Sequence, residues 1–166
     1  EIISKYFGDR IKGKHIVDVN CGVGHCVNFI DGYASYYGND IKKEFIDSAP
    51  KKEKATFELL DEKKLINRLK DKPVDVLVLF GAGVVAAEGK PTKEIMENIV
   101  SLKDPEAIVI EGTWEYEEKF HLMSDYESIF SKYGYKTVFK KRYKGTSAGE
   151  YITWVLDRYI VIMEKI

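Results

Sequence analysis

Asp18-Val19-Asn20-Cys21-Gly22-Val23-Gly24 is the segment whose residue types and spacing best suit chemistry. Glycines there let the backbone turn sharply and approach a ligand with no Cβ in the way. Two further carboxylates, Asp40 and Asp61, recur downstream, each after an apolar run. An acid closing a second strand can accept both hydroxyls of a ribose, and one closing a third can meet an adenine amine. A third acid, Glu111, follows Ala107 to Ile110 and precedes Trp114 and Tyr116. A carboxylate there could contact or deprotonate a substrate, with the aromatics as apolar walls. Cys21, His25 and Cys26 are close together, but His15 and His121 are isolated and no second Cys/His pair completes a tetrahedral metal site.

The elements that must position these residues alternate. Ile16 to Val19, Ala34 to Asp40, Ala55 to Leu60, Val74 to Phe80 and Ala107 to Ile110 read as five strands. Val74 to Phe80 is continuous and β-branched, the pattern of a strand buried on both faces. Between the strands, His25 to Ile30, Ile41 to Ser48, Glu62 to Lys70, a segment opening at Pro91, and Phe120 to Tyr133 read as helices. Asp40 and Asp61 suit the N-caps of two of them, and Gly134 suits the C′ position of the last. Strands alternating with helices predict a parallel sheet covered on both faces. Lys136 to Arg142 and Arg158 to Glu164 end the chain as two strands with no helix between them, so the final strand is expected to insert antiparallel.

With Asp18, Asn20, Gly22 and Gly24 at the positions of an Asp/Glu-x-Gly-x-Gly-x-Gly turn, and acids after strands two and three, the chain resembles the class I S-adenosylmethionine-dependent methyltransferases. The resemblance covers almost the whole chain, residues 1–166 as one domain. It implies a three-layer α/β Rossmann-like fold with a seven-stranded sheet of order 3-2-1-4-5-7-6, strand seven antiparallel. It also implies S-adenosylmethionine as cofactor. Gly22 and Gly24 would line its methionine part, Asp18 would orient its amino group, and Asp40 would hold the ribose. Ile41 would lie against the adenine, Asp61 would meet the adenine amine, and Asn20 and Phe80 would complete the cofactor set. Asn20 departs from the family's first glycine, although Asn tolerates left-handed backbone better than most residues. A nicotinamide-binding turn would want a third glycine where this chain has Val27.

The implied activity is methyl transfer to a small molecule or an exposed protein group, with Glu111, Trp114, Tyr116 and Trp154 as candidate acceptor contacts and Glu111 the candidate base. Phe80-Gly81-Ala82-Gly83 lacks the polar residue followed by Pro-Pro-Tyr/Phe that amino-methylating enzymes of DNA carry. A non-catalytic cofactor-binding partner or sensor is the alternative. Plainer readings stand beside these. Asp40 and Asp61 would serve as helix caps, residues 111–118 as a solvated acidic turn, and Tyr143, Tyr151 and Trp154 as cover for the sheet edge. His25 would be a helix-terminus hydrogen-bonder, and Lys140, Lys141, Arg142 and Lys144 a solvated strand face.

Composition narrows the classes. An apolar content of 45% with 13% aromatics is enough for a core and argues against global disorder. The 26 Lys and Arg against 27 Asp and Glu give no overall pull toward nucleic acid or membrane. No apolar run long enough to span a bilayer and no signal peptide are visible, so a cytoplasmic location with reduced thiols is expected.

Overall fold

The computed structural model describes residues 8–80, 91–113, 122–148 and 153–166. Seven strands form one sheet: β1 (His15–Asp18), β2 (Ser35–Asp40), β3 (Ala55–Leu59), β4 (Val76–Phe80), β5 (Ala107–Thr113), β6 (Tyr135–Ala148) and β7 (Thr153–Lys165). Their order is β3-β2-β1-β4-β5-β7-β6. β1 to β5 pair in parallel, while β7 runs antiparallel to both β5 and β6. This is the three-layer α/β sheet expected, with its single reversed strand.

Both faces are buried, and alternation along each strand assigns side chains between them. Val17, Leu77, Leu79, Ile108, Ile110, Tyr159 and Val161 belong to one core. Against it pack three helices: α2 (Glu62–Leu69) through Leu65 and Leu69, α3 (Pro91–Lys103) through Met96 and Ile99, and α4 (Leu122–Ser131) through Tyr126 and Phe130. Each fully buried aliphatic side chain of this kind contributes about 1.5–3 kcal/mol. Ile16, Tyr36, Val76, Val78, Val109, Ile160 and Ile162 face the other way, joined by Ile11, Val27 and Ile30 from short 3₁₀ turns. Strands two-sided in this way have no polar alternation to show, which explains the continuous run in β4. Among the described residues, no helix is long and apolar enough to cross a membrane.

Several boundaries differ from expectation. The predicted helix His25 to Ile30 is a single 3₁₀ segment, His25–Phe29, entered through Gly24 in left-handed conformation. Ile41 to Ser48 yields only α1 (Lys43–Asp47), whose N-cap position is Lys42 and not Asp40. Asp40 instead turns its carboxylate back to the chain on both sides, so the helix starts later. β5 runs on through Thr113, because β7 pairs with it as far as Arg158. Glu111 is therefore inside the strand and not in a loop after it. β6 and β7 extend well past the predicted Lys136 to Arg142 and Arg158 to Glu164, held by mutual pairing from Tyr135↔Lys165 to Ala148↔Thr153. As expected, Asp61 caps α2; α4 ends at Ser131, short of the expected Tyr133, and Gly134, at φ 84°, is the left-handed residue that ends the turn after it.

Candidate functional site

At the carboxyl end of β1 the chain turns through three left-handed positions, Asn20 (φ 54°), Gly22 (φ 57°) and Gly24 (φ 66°). Asn20 thus adopts the left-handed conformation that glycine supplies most readily. Gly22 has open space where a Cβ would be, so a ligand can approach its backbone. Gly24 has the opposite reason to be glycine, since a Cβ there would collide with the Phe57 ring. Gly38 on β2 gives the turn its seat: a Cβ at that position would lie 2.8 Å from Cys21 Sγ. The Cys21 amide donates to the Asn39 carbonyl at 2.8 Å, and Asn39 Nδ2 donates to the Leu60 carbonyl at 3.2 Å. One residue thereby ties the turn to the end of β3.

Asp18 is 1% exposed and pairs in register with Gly38. Tyr36, two residues before Gly38 on the same face of β2, donates its hydroxyl to Asp18 Oδ2. Asp18 Oδ1 has no hydrogen-bond partner among the described residues. Burial pushes the Asp18 carboxyl up to about 7; the Tyr36 hydrogen bond works against that shift and the Asp40 charge adds to it. Leaving a fully buried carboxylate oxygen without a donor costs about 1–3 kcal/mol or more. A ligand ammonium would supply what Oδ1 lacks.

Asp40 is buried, and both its oxygens are engaged by backbone: Oδ2 accepts from the Gly22 amide and Oδ1 from the Lys42 amide, each at 2.9 Å. The residue thus fixes the glycine turn against the end of β2. Each carboxylate oxygen retains a second lone pair for a hydroxyl. Ile41, next in chain, exposes 65% of its surface, an apolar platform beside that carboxylate. Asp61 accepts from the Lys64 amide at 2.9 Å, so its capping role is realised, and its side chain remains 43% exposed. Half-buried Phe80 closes β4, opposite Glu111 on β5.

Glu111 is 2% exposed, and both of its carboxylate oxygens already accept hydrogen bonds from the chain. Arg158 donates through Nε to its Oε1 and through Nη2 to its Oε2, the latter at 2.7 Å, and the Tyr143 hydroxyl donates to Oε1 at 2.8 Å. The expectation that Glu111 directly follows the fifth strand is corrected: β5 extends to Thr113, and Glu111 enters the sheet's second face with two partners. Burial, followed by the Glu111 charge and hydrogen bond, raises the Tyr143 hydroxyl above its ordinary range. Trp114, Tyr116 and Tyr151 lie outside the described residues, as does the glycine-rich stretch 81–89. Trp154, in β7, pairs through its backbone with Ser147 of β6, and its side chain lies outside what is described.

Of the basic cluster, Lys140, Arg142 and Lys144 are exposed on one face of β6, while Lys141 lies on the other face, opposite Ile160. Lys140 meets Glu127, and Arg142 and Lys144 share Asp157. His25 is exposed and makes no hydrogen bond among the described residues. Burial pushes both Cys21 and Cys26 upward, which keeps them as thiols. Sequence reasoning missed Tyr36, Gly38, Tyr143 as a Glu111 partner, and Arg158. The available signals were a tyrosine two residues before a strand glycine and a single cation at the head of the apolar run Tyr159 to Met163.

No protein-family model and no curated protein sequence matches the chain. Solved structures do. A putative RNA methyltransferase from Pyrococcus horikoshii superposes with a TM-score of 0.71 at 14% identity, over 99% of this chain and 80% of that one. The N-methyltransferase NodS from Bradyrhizobium japonicum gives 0.70 at 11% identity, over 99% and 92%. Magnesium protoporphyrin IX methyltransferase from Synechocystis, with bound S-adenosylhomocysteine, gives 0.64 at 15% identity, over 99% and 80%. Sheet order, the reversed seventh strand and these superpositions agree: the chain has the fold of the class I S-adenosylmethionine-dependent methyltransferases.

Proposed function

We propose that the chain binds S-adenosylmethionine over the carboxyl ends of β1, β2 and β3 and transfers its methyl group to a small molecule or an exposed protein group. The observation that carries this reading is Asp18 Oδ1, a fully buried carboxylate oxygen with no donor, at the head of a glycine turn. An amino acid ammonium fits that oxygen in charge and hydrogen-bonding capacity. Gly22 offers its open backbone, Asp40 its remaining lone pairs for ribose hydroxyls, and Ile41 its exposed side chain for a purine face. The set matches the cofactor that the fold implies.

When bound, the cofactor supplies an electrophilic methyl on a sulfonium. The chain's own work is then to position: Asp18 and the glycine turn hold one end, Asp40 and Ile41 the other. Holding two reactants in line can itself supply about 7–11 kcal/mol of the barrier. No general base is required unless the acceptor arrives protonated.

The test is transfer of a radiolabelled methyl from S-adenosylmethionine to a panel of small acids, amines, phenols and thiols and to cell-extract proteins. Label on any acceptor, lost in Asp18→Ala, supports the reading. Saturable S-adenosylhomocysteine binding without transfer to any acceptor would favour a sensor, and no binding at all would refute the proposal.

A further inference from the structure

The Glu111–Arg158 pair is not used by the chemistry just described, and stability does not account for it. Its neighbours on that face, Val109, Ile160 and Ile162, are apolar and at most 1% exposed. Replacing a buried ion pair by apolar side chains is commonly neutral or stabilising. What the pair does supply is orientation. Arg158 has its Nε and Nη2 committed to the two oxygens of Glu111, and Tyr143 holds the same carboxylate in place. Tyr143 also touches the Arg158 side chain, which remains 22% exposed. A planar guanidinium locked along one edge presents its other edge in a fixed direction, the geometry that recognises oxyanions.

The position suits a substrate. Arg158 pairs with Thr113 at the carboxyl end of β5, the end of the sheet that carries Asp18 and Phe80. From β1 to β7 is three strand steps, about 14 Å at about 4.8 Å each. An acceptor lying across β4 and β5 would span that interval, with Phe80 beneath it. Lys141, opposite Ile160 and so on the same face as Arg158, is exposed and has no partner among the described residues. Arg158 and Lys141 together exceed Glu111 by one positive charge, which suits a monoanion.

We infer that Arg158, oriented by Glu111 and Tyr143, anchors a carboxylate on the methyl acceptor. The inference rests on the methyl-transfer reading for the word acceptor, but the anion site itself does not.

The test uses benzoate and its neutral counterpart benzamide as probes of the full chain, with and without saturating S-adenosylhomocysteine; the side-chain Nε–H resonance of Arg158 reports contact in the wild type, and titration calorimetry gives the affinities of wild type and variants. Arg158→Lys assigns the resonance and keeps a cation beside Glu111, so the fold is preserved. The expected result is a saturable shift with benzoate and none with benzamide, and benzoate affinity at least tenfold weaker in Arg158→Lys and several-fold weaker in Lys141→Gln. No shift with benzoate, an equal shift with benzamide, or unchanged affinity in Arg158→Lys would overturn the inference. Tighter binding of phenyl phosphate than of benzoate would overturn the assignment to a carboxylate. A benzoate response in a protein that fails to bind S-adenosylhomocysteine would retain the anion site and refute the methyltransferase reading, so the two failures are distinguishable.

Discussion

Asp18→Asn is expected to make the protein more stable at pH 8 while weakening its hold on S-adenosylhomocysteine. Burial raises the Asp18 carboxyl from 3.8 to about 7. Between those values the folded chain keeps a proton that the unfolded chain has released. The contribution to stability is therefore fully present below about pH 4 and is lost as pH rises through 7, at up to about 1.4 kcal/mol per pH unit. Asparagine stays neutral throughout, and its carbonyl can still accept the Tyr36 hydroxyl. Urea unfolding should find the variant close to wild type near pH 4 and about 2–4 kcal/mol more stable at pH 8. Binding should move the other way. Losing a charged hydrogen bond to the ligand ammonium costs about 1.5–3 kcal/mol, or roughly ten- to hundredfold in affinity. In wild type, affinity should also fall as pH drops below 7, because Asp18 must first lose its proton. A variant no more stable than wild type at pH 8 would show that the buried carboxylate is not under the cost assigned to it.

Glu111→Gln should have the largest effect of any single change outside the cofactor end. It leaves Arg158 facing a neutral amide on a largely apolar face of the sheet. Breaking a buried pair from one side costs about 3–5 kcal/mol, and partial exposure of Arg158 lowers the expectation to about 2–3 kcal/mol. Glu111→Leu combined with Arg158→Met should recover most of that loss. Once an acceptor is known, Glu111→Gln should raise its KM through the misplaced Arg158, and the pH–rate profile should keep the limb that a general base would have supplied. A single variant within about 0.5 kcal/mol of wild type, or a lost pH limb with KM unchanged, would contradict the positioning role.

The sheet was legible because its strands carry strong local signals. Val76 to Phe80 could hardly be anything but a doubly buried strand, and Gly22 and Gly24 mark the turn after β1. Strand order was not in the periodicity; it came through the resemblance carried by Asp18, Gly22, Gly24, Asp40 and Asp61. Where reading failed, long-range pairing had overridden local pattern. β5 looks finished at Ile110, where the apolar run stops. It continues because β7 lies alongside, and that extension carries Glu111 into the sheet. The same partner explains Arg158, which reads as the polar edge of a strand and is instead half of an ion pair 47 residues from Glu111 in sequence. Asp40 illustrates a subtler limit. Its type and position suit a helix cap, but the Gly22 amide, 18 residues earlier, claims one of its oxygens. Asp61, whose partner is three residues away, was read correctly on the same signal.

The central claim, cofactor binding at the carboxyl end of β1 to β3, is tested most directly by backbone amide shift mapping of the full chain during titration with S-adenosylhomocysteine at pH 8. Saturable binding should shift the amides of Gly22, Ile41 and Lys42 together with those flanking Asp18, and leave the opposite end of the sheet, around His15, Asp75 and Glu106, unmoved. No saturable response, or one centred on that opposite end, would contradict the account.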